Sequence, residues 1–248
     1  MHSDYRSIVQ RSLGSYFHAL IAWPIYLFWT LVLGFFIGVG ALNPSDKLRR
    51  FGLKSLSWIW GGAMWRTQPF WSRKTLGLEN LSEGPFVIVA NHQSVLDIPR
   101  LFSLPIPLTV SARPGIFHVK VMGQFLSLSG QINTDNLLTH AKAALEEGIS
   151  VVVFAEGTRS PDGEVHRFRQ GAFHLAKETN TPILPVALDG AGHILGKRGY
   201  IPTQTFVTTY LSVLPPVLPD GPPSELAKQV RAQISTEVHR LREAPAQG

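Results

Sequence analysis

Two short polar stretches in this sequence follow directly on runs of apolar residues, and both hold groups able to do chemistry. After Phe86-Val87-Ile88-Val89-Ala90 comes Asn91-His92-Gln93-Ser94-Val95-Leu96-Asp97, and after Val151-Val152-Val153-Phe154 comes Ala155-Glu156-Gly157-Thr158-Arg159-Ser160. An imidazole with a carboxylate five residues on can form a dyad if the chain turns between them. The carboxylate then fixes the tautomer and stabilises the imidazolium, leaving the other ring nitrogen to take a proton. His92 and Asp97 are therefore candidates for a general base and its orienting acid. The second stretch offers a turn glycine, backbone N–H groups, a hydroxyl and a guanidinium. That set suits a phosphate monoester, with Arg159 as a bidentate fork and Thr158 as a further donor.

Each group also has a structural reading. Pro99 is tolerated in the first turn of a helix, so Asp97 can serve as the N-cap of a helix running through Leu104. Arg159 can close a surface ion pair with Glu156 or Asp162, with Pro161-Asp162-Gly163 as the turn. Spacing alone does not separate these readings; the position of both stretches at the ends of strands favours the chemical one. The other histidines, such as His18, His118, His166 and His193, read as structural or surface residues.

The elements that would carry the two stretches are legible from pattern. Phe86 to Ala90, Leu108 to Ala112, Val151 to Phe154, Ile183 to Leu188 and Phe206 to Val213 read as strands. Asn136 to Glu147 reads as a helix with Asp135 as N-cap and Gly148 beyond its end, Arg169 to Thr179 as a second, and Leu226, Val230, Ile234, Val238 and Leu241 stripe a C-terminal one. Strands alternating with helices predict an α/β fold, a mostly parallel sheet flanked by helices, with ligands beyond the carboxyl ends of the strands.

Charge divides the chain. Residues 1 to 78 carry nine Lys/Arg against two acids, a net +7, together with all six tryptophans, whereas the remainder is −1. Ala19 to Leu42 is almost wholly apolar, roughly 36 Å of helix against a hydrocarbon core of about 30 Å. Tryptophan and Lys/Arg together mark the headgroup level of a bilayer. The sequence thus predicts an N-terminal membrane-embedded helical segment over 1–78, in which Pro24 permits a bend, Phe51 to Trp71 forms an interfacial helix, and residues 79–248 make the soluble-facing domain. The flank after the apolar run sums to +3 and the flank before it to +1, which places the domain on the cytoplasmic face of the inner membrane. The basic balance is then a membrane address, and no nucleic acid partner is expected. With no cysteine, disulfides, thiolate metal sites and a cysteine nucleophile are excluded.

The residues resemble glycerolipid acyltransferases of the lysophosphatidic acid acyltransferase (PlsC-like) type. Asn91 to Asp97 is similar to that family's Asn-His-x4-Asp block, Phe154 to Ser160 to its Phe-Pro-Glu-Gly-Thr-Arg-Ser block, and Phe168 to Ala176 and Thr181 to Val186 to the segments that follow. Ala155 stands where the family commonly has proline. The family's Lys-x-Glu-Leu-x3-Pro block is reduced to Arg113-Pro114-Gly115-Ile116, with Lys120 in the proline's place and Gly123 retained, so Arg113 keeps the positive charge. The resemblance implies transfer of an acyl group from acyl-CoA or acyl-carrier protein to the sn-2 hydroxyl of lysophosphatidic acid, giving phosphatidic acid. It makes His92 and Asp97 catalytic, assigns Glu156, Gly157, Thr158, Arg159 and Arg113 to the substrate, and implies no metal or cofactor. With neither Cys nor a Gly-x-Ser-x-Gly elbow, transfer is expected to be direct. Because the second block departs from the family pattern, another lysolipid acceptor stays open, as does a non-catalytic lipid-binding module. A metal-dependent phosphoesterase using His92, Asp97 and Glu156 as ligands is a third reading.

Overall fold

The computed structural model describes residues 13–41, 59–82, 84–112, 132–133, 137–197 and 201–243. Arg113, the Asp135 cap and residues 51–58 of the expected interfacial helix lie outside them. Within these limits the helices are α1 (Leu13–Ala41), α2 (59–67), α3 (Asp97–Leu101), α4 (Leu137–Glu146), α5 (Gly171–Thr179), α6 (Ala191–Ile194) and α7 (Pro223–Glu243). The strands are β1 (Trp71–Leu76), β2 (Val87–Ala90), β3 (Leu108–Ala112), β4 (Ile132–Asn133), β5 (Ser150–Phe154), β6 (Ile183–Asp189) and β7 (Val207–Val213). They form one sheet in the order β1-β7-β6-β2-β5-β3-β4. From β6 to β4 all neighbours are parallel; β7 runs antiparallel to β6, and β1 is parallel to β7.

The central strands are apolar throughout because both faces of the sheet are covered. Val87 and Val89 of β2 join Val151 and Val153 in a core closed by Ala141 and Leu145 of α4, Phe173 and Leu175 of α5, and Val230, Ile234 and Val238 of α7. The alternate residues Ile88 and Ala90, with Val152, Leu184 and Val186, meet Leu101, Phe102, Leu104 and Trp60 on the other face. Period-two alternation thus sends each strand's side chains into two separate cores.

The described part of the interfacial segment ends sooner than its sequence suggests. α2 stops at residue 67, Pro69 follows, and Trp71 opens the edge strand β1, whose partner is β7 from Trp71↔Val207 to Leu76↔Ser212. The sheet therefore begins within the stretch that charge counting groups with the membrane segment. α3 also ends early, at Leu101 rather than Leu104, and the chain continues in turns.

α1 runs unbroken through Pro24. One narrow stripe of it is buried: Ser15, His18 and Ala22, with the His18 ring edge-on to Phe70 and Trp71. The Gln68 amide donates to the Ala22 carbonyl (3.2 Å), and the Trp29 indole to Thr67 Oγ1 (2.9 Å), fastening α1 to α2. Around the rest of the helix Phe17, Leu20, Leu27, Phe28 and Leu31 are exposed. Gly14–Val32 is long and apolar enough to cross a membrane, and only 17% of the most apolar stretch within it is buried in the protein. A core helix would have buried those side chains; this one leaves them exposed.

Candidate active site

β2 delivers the first polar stretch at its carboxyl end. The Asn91 amide exchanges two hydrogen bonds with the Leu188 backbone, Nδ2 to O and N to Oδ1, both 2.8 Å, so it binds the strand end to β6. His92 Nδ1 donates to Asp97 Oδ2 at 2.9 Å. The same oxygen accepts the backbone N–H groups of Gln93 (2.7 Å) and Ser94 (2.8 Å), and Asp97 is fully buried. Three donors on one carboxylate oxygen leave it a single orientation. Asp97 therefore does not cap α3. Leu96 occupies the N-cap position, and the Asp97 side chain turns back over the preceding residues. The imidazole is stacked on Phe154, centroids 3.9 Å apart and planes inclined by 19°. With Nδ1–H committed to Asp97, Nε2 carries the free lone pair that a general base needs.

β5 delivers the second stretch and clamps the first. Glu156 is buried, and its two oxygens accept the backbone N–H of His92 (3.0 Å) and of His166 (3.3 Å). Burial pushes its carboxyl above the ordinary range, and the two amide donors and the nearby His166 and His92 oppose that shift. The Ser160 N–H donates to the His92 carbonyl at 2.7 Å. The backbone of His92 is thus held at both its N–H and its C=O by the Glu-Gly-Thr-Arg-Ser loop. At Gly157 φ is +68°, a conformation other residues rarely adopt, and an added Cβ would lie 2.8 Å from Arg169 Nε.

The ion-pair reading of Arg159 fails because both carboxylates are engaged elsewhere. Glu156 faces inward, and Asp162 Oδ1 accepts from Ser160 Oγ (2.9 Å), His166 Nε2 (2.8 Å) and the Glu164 N–H (3.1 Å). Those donors hold Asp162 below the usual carboxylate range, against a desolvation cost that opposes them. Arg159 is half-buried and has no ion pair among the described residues, and Thr158 is half-buried beside it. The commitments of Asp97 and Glu156 also weaken the phosphoesterase reading, and among the described residues no three His, Cys, Asp or Glu side chains are grouped to hold a metal ion.

Two residues that sequence reasoning missed brace this site. Gln93 Nε2 donates to Asp189 Oδ1 (3.0 Å) and to the Gly163 carbonyl (3.2 Å). Arg242, in the last turn of α7, donates through Nε to Asp189 Oδ1 (3.1 Å), through Nη2 to the Gly163 carbonyl (2.6 Å) and through Nη1 to Glu164 Oε1 (2.7 Å). The only sequence signal for Gln93 is its place between His92 and Asp97. Arg242 reads as an ordinary cation at a helix C-terminus.

The described arrangement joins a His–Asp dyad to an arginine loop through the His92 backbone, and residues 72–189, which span both stretches, match the family model described as Acyltransferase. The chain belongs to the acyltransferase family. It is homologous to PlsC-like 1-acyl-sn-glycerol-3-phosphate acyltransferases. A chloroplastic 1-acyl-sn-glycerol-3-phosphate acyltransferase of Brassica napus is 36% identical over 168 residues, covering 63% of this chain and 48% of that protein. One from Chlamydomonas reinhardtii is 31% identical over 208 residues, covering 79% and 62%. The chain thus spans about half to two thirds of the length of these curated relatives. The crystal structure of the 1-acyl-sn-glycerophosphate (LPA) acyltransferase PlsC from Thermotoga maritima superimposes with a TM-score of 0.83 at 25% identity, covering 96% of this chain and 100% of that one. In this chain α1 and the Arg242 brace lie outside the matched family region, whereas Asp189 closes it.

Proposed function

We propose that the protein is a 1-acyl-sn-glycerol-3-phosphate O-acyltransferase, moving an acyl group from acyl-CoA or acyl-carrier protein to the sn-2 hydroxyl of lysophosphatidic acid. The observation that carries this reading is the Asp97-oriented imidazole of His92, locked by backbone hydrogen bonds to the loop that bears Arg159, which has no ion pair among the described residues. His92 Nε2 takes the proton of the acceptor hydroxyl as that oxygen attacks the thioester carbonyl. The tetrahedral adduct collapses, the C–S bond breaks, and the thiolate leaves with the proton returned by the imidazolium. Asp97 stabilises the charged ring between the two transfers. Arg159 and Thr158, with Arg113, hold the acceptor phosphate; the Gly157 N–H donates to the Phe154 carbonyl (2.9 Å) and shapes the turn, and Glu156 keeps the loop in register with His92. A general base of this kind contributes about 10² to 10⁴ in rate, so positioning supplies much of the remainder. No metal or cofactor takes part. The lipid-facing side of α1 keeps the domain at the cytoplasmic face of the membrane, where its acceptor resides.

A second acceptor class is favoured by one specific feature, the sequence Arg113-Pro114-Gly115-Ile116 in place of the family's acidic block. One experiment addresses both readings: detergent-solubilised protein, acyl-CoA and a panel of lysolipids, with His92→Ala beside the wild type. Product from lysophosphatidic acid in the wild type and its loss in the variant is the expected result. Product from another lysolipid only moves the assignment to that acceptor. Equal turnover in both proteins sinks the mechanism, and no turnover with any acceptor favours a lipid-binding module.

A further inference from the structure

A cleft of ≈ 500 Å³ opens beside the catalytic loops, lined by Glu156, Arg167, Phe168, Arg169 and Gln170. Its volume lies within the range of about 300 to 1,000 Å³ that ligand sites occupy. A single phosphate monoester needs far less. Phe168 is itself only 4% exposed, so the arginine, glutamine and glutamate side chains make most of the wall. Arg159 is not part of the lining.

Arg167 and Arg169 are exposed, and among the described residues neither guanidinium has an ion pair or a hydrogen-bond partner. Nearby carboxylates are turned away from them: Glu156 toward backbone amides, Asp162 toward His166, Glu164 toward Arg242. The Arg169 backbone is held to the catalytic loop. Its backbone N–H donates to the Ala155 carbonyl (2.8 Å), and its guanidinium lies against the Cα of Gly157, where any Cβ would displace it. Two unneutralised forks in one polar cleft form a site for an anion with several phosphoryl groups. Glu156 links this cleft to the His92 backbone, which puts such an anion next to the reacting centre.

We propose that Arg167 and Arg169 form a second phosphate-binding subsite, distinct from Arg159, which takes the phosphorylated nucleotide part of a CoA thioester. A CoA thioester carries a diphosphate and a ribose phosphate, which matches a site with more than one fork. The inference rests on the acyltransfer reading above and deepens it, because it selects acyl-CoA over acyl-carrier protein as donor. It also gives the acceptor phosphate and the donor phosphates separate cations.

The test compares Arg167→Gln, Arg169→Gln and the double variant with the wild type, using the full chain in detergent. Two donors are used, acyl-CoA and acyl-pantetheine, which carries the same thioester without the nucleotide and its phosphates. Each single variant raises the KM for acyl-CoA by about 10- to 100-fold, the loss of one charge-assisted contact, and leaves the KM for acyl-pantetheine and for the lysolipid within about two-fold. Arg169→Lys restores most of the affinity, which a role limited to packing on Gly157 would not. An unchanged KM for acyl-CoA in the double variant overturns the proposal, and so does an increase confined to the lysolipid. Calorimetric binding of CoA itself needs no turnover. Wild-type binding that weakens at least about ten-fold in the double variant supports the subsite even if no lysolipid is acylated, an outcome that defeats only the proposed function. Equal CoA binding in both proteins overturns the subsite and leaves the proposed function standing. If Arg169→Gln does not fold, the exposed Arg167→Gln carries the comparison alone.

Discussion

Gln93 and Arg242, from opposite ends of the domain's sequence, donate to the same two acceptors, Asp189 Oδ1 and the Gly163 carbonyl. The dyad loop, the loop after β5, the end of β6 and the last turn of α7 meet at that pair. A residue next to His92 is thereby tied to the end of the C-terminal helix.

Replacing Arg242 by Ala leaves Asp189, which is 7% exposed, with Gln93 as its remaining side-chain donor and frees the Gly163 loop. The expected cost is about 1.5 to 3 kcal/mol of stability, the range for a hydrogen bond to a charged group, together with a lower kcat. Arg242→Lys recovers only part of both, because an ammonium cannot fork across three acceptors. Chemical denaturation and steady-state kinetics check this; full recovery by Lys would contradict it.

Asp97→Asn separates charge from geometry. All three donors converge on Oδ2, and Oδ1 is buried without a partner, so the Asn carbonyl can keep every bond with its amide nitrogen at the Oδ1 position. The fold should persist while kcat falls by about 10² or more, because the imidazolium loses its counter-charge. Near-native kcat with unchanged thermal stability would show that the carboxylate serves only to hold the turn.

Glu156→Gln bears on pH dependence. Burial raises the Glu156 pKa in the folded protein, so between the ordinary value of about 4.3 and that raised value the native state keeps a proton that the unfolded chain has lost. Stability from this group is therefore fully present below the ordinary value and declines as pH rises through the window. The variant removes that slope. It also leaves one of the His92 and His166 N–H groups without an acceptor, a constant loss of about 1 to 3 kcal/mol. Denaturation profiles from acid to neutral pH measure both, and a wild-type-minus-variant difference that grows with pH would refute the assignment.

Gly157→Ala forces a side chain into a left-handed conformation, which costs about 1 to 2 kcal/mol, and pushes Arg169 off the loop. Its expected signature is a lower melting temperature together with a raised KM for a phosphate-bearing substrate. A variant with wild-type kinetics would show that the loop's shape is irrelevant to binding.

The central strands were readable because burial on both faces demands unbroken apolar runs, as in Val151 to Phe154 and Phe86 to Ala90. β1 was not. Its residues Ser72 and Thr75 are exposed and Arg73 and Lys74 half-buried on an edge strand, so no apolar pattern marks it, and its cations resemble snorkelling ones. The His92–Asp97 pair was legible as a spacing, yet whether Asp97 capped α3 or oriented the ring depended on the turn of the chain between them.

The sequence by itself determined the chemical inventory of this protein: an imidazole and a carboxylate five residues apart, an arginine loop, no thiol, and an apolar N-terminal helix with tryptophan nearby. Those properties are local in the chain, and composition and period report them. Tertiary structure decided which charges are spent and which are free. Glu156 and Asp162 bond to backbone and histidine donors, so neither pairs with Arg159, and Arg242 reaches Asp189 only because α7 packs on the sheet face that β6 helps to form. Partner choice among charged groups depends on distances of a few ångströms between residues far apart in sequence, and only the folded chain sets those distances.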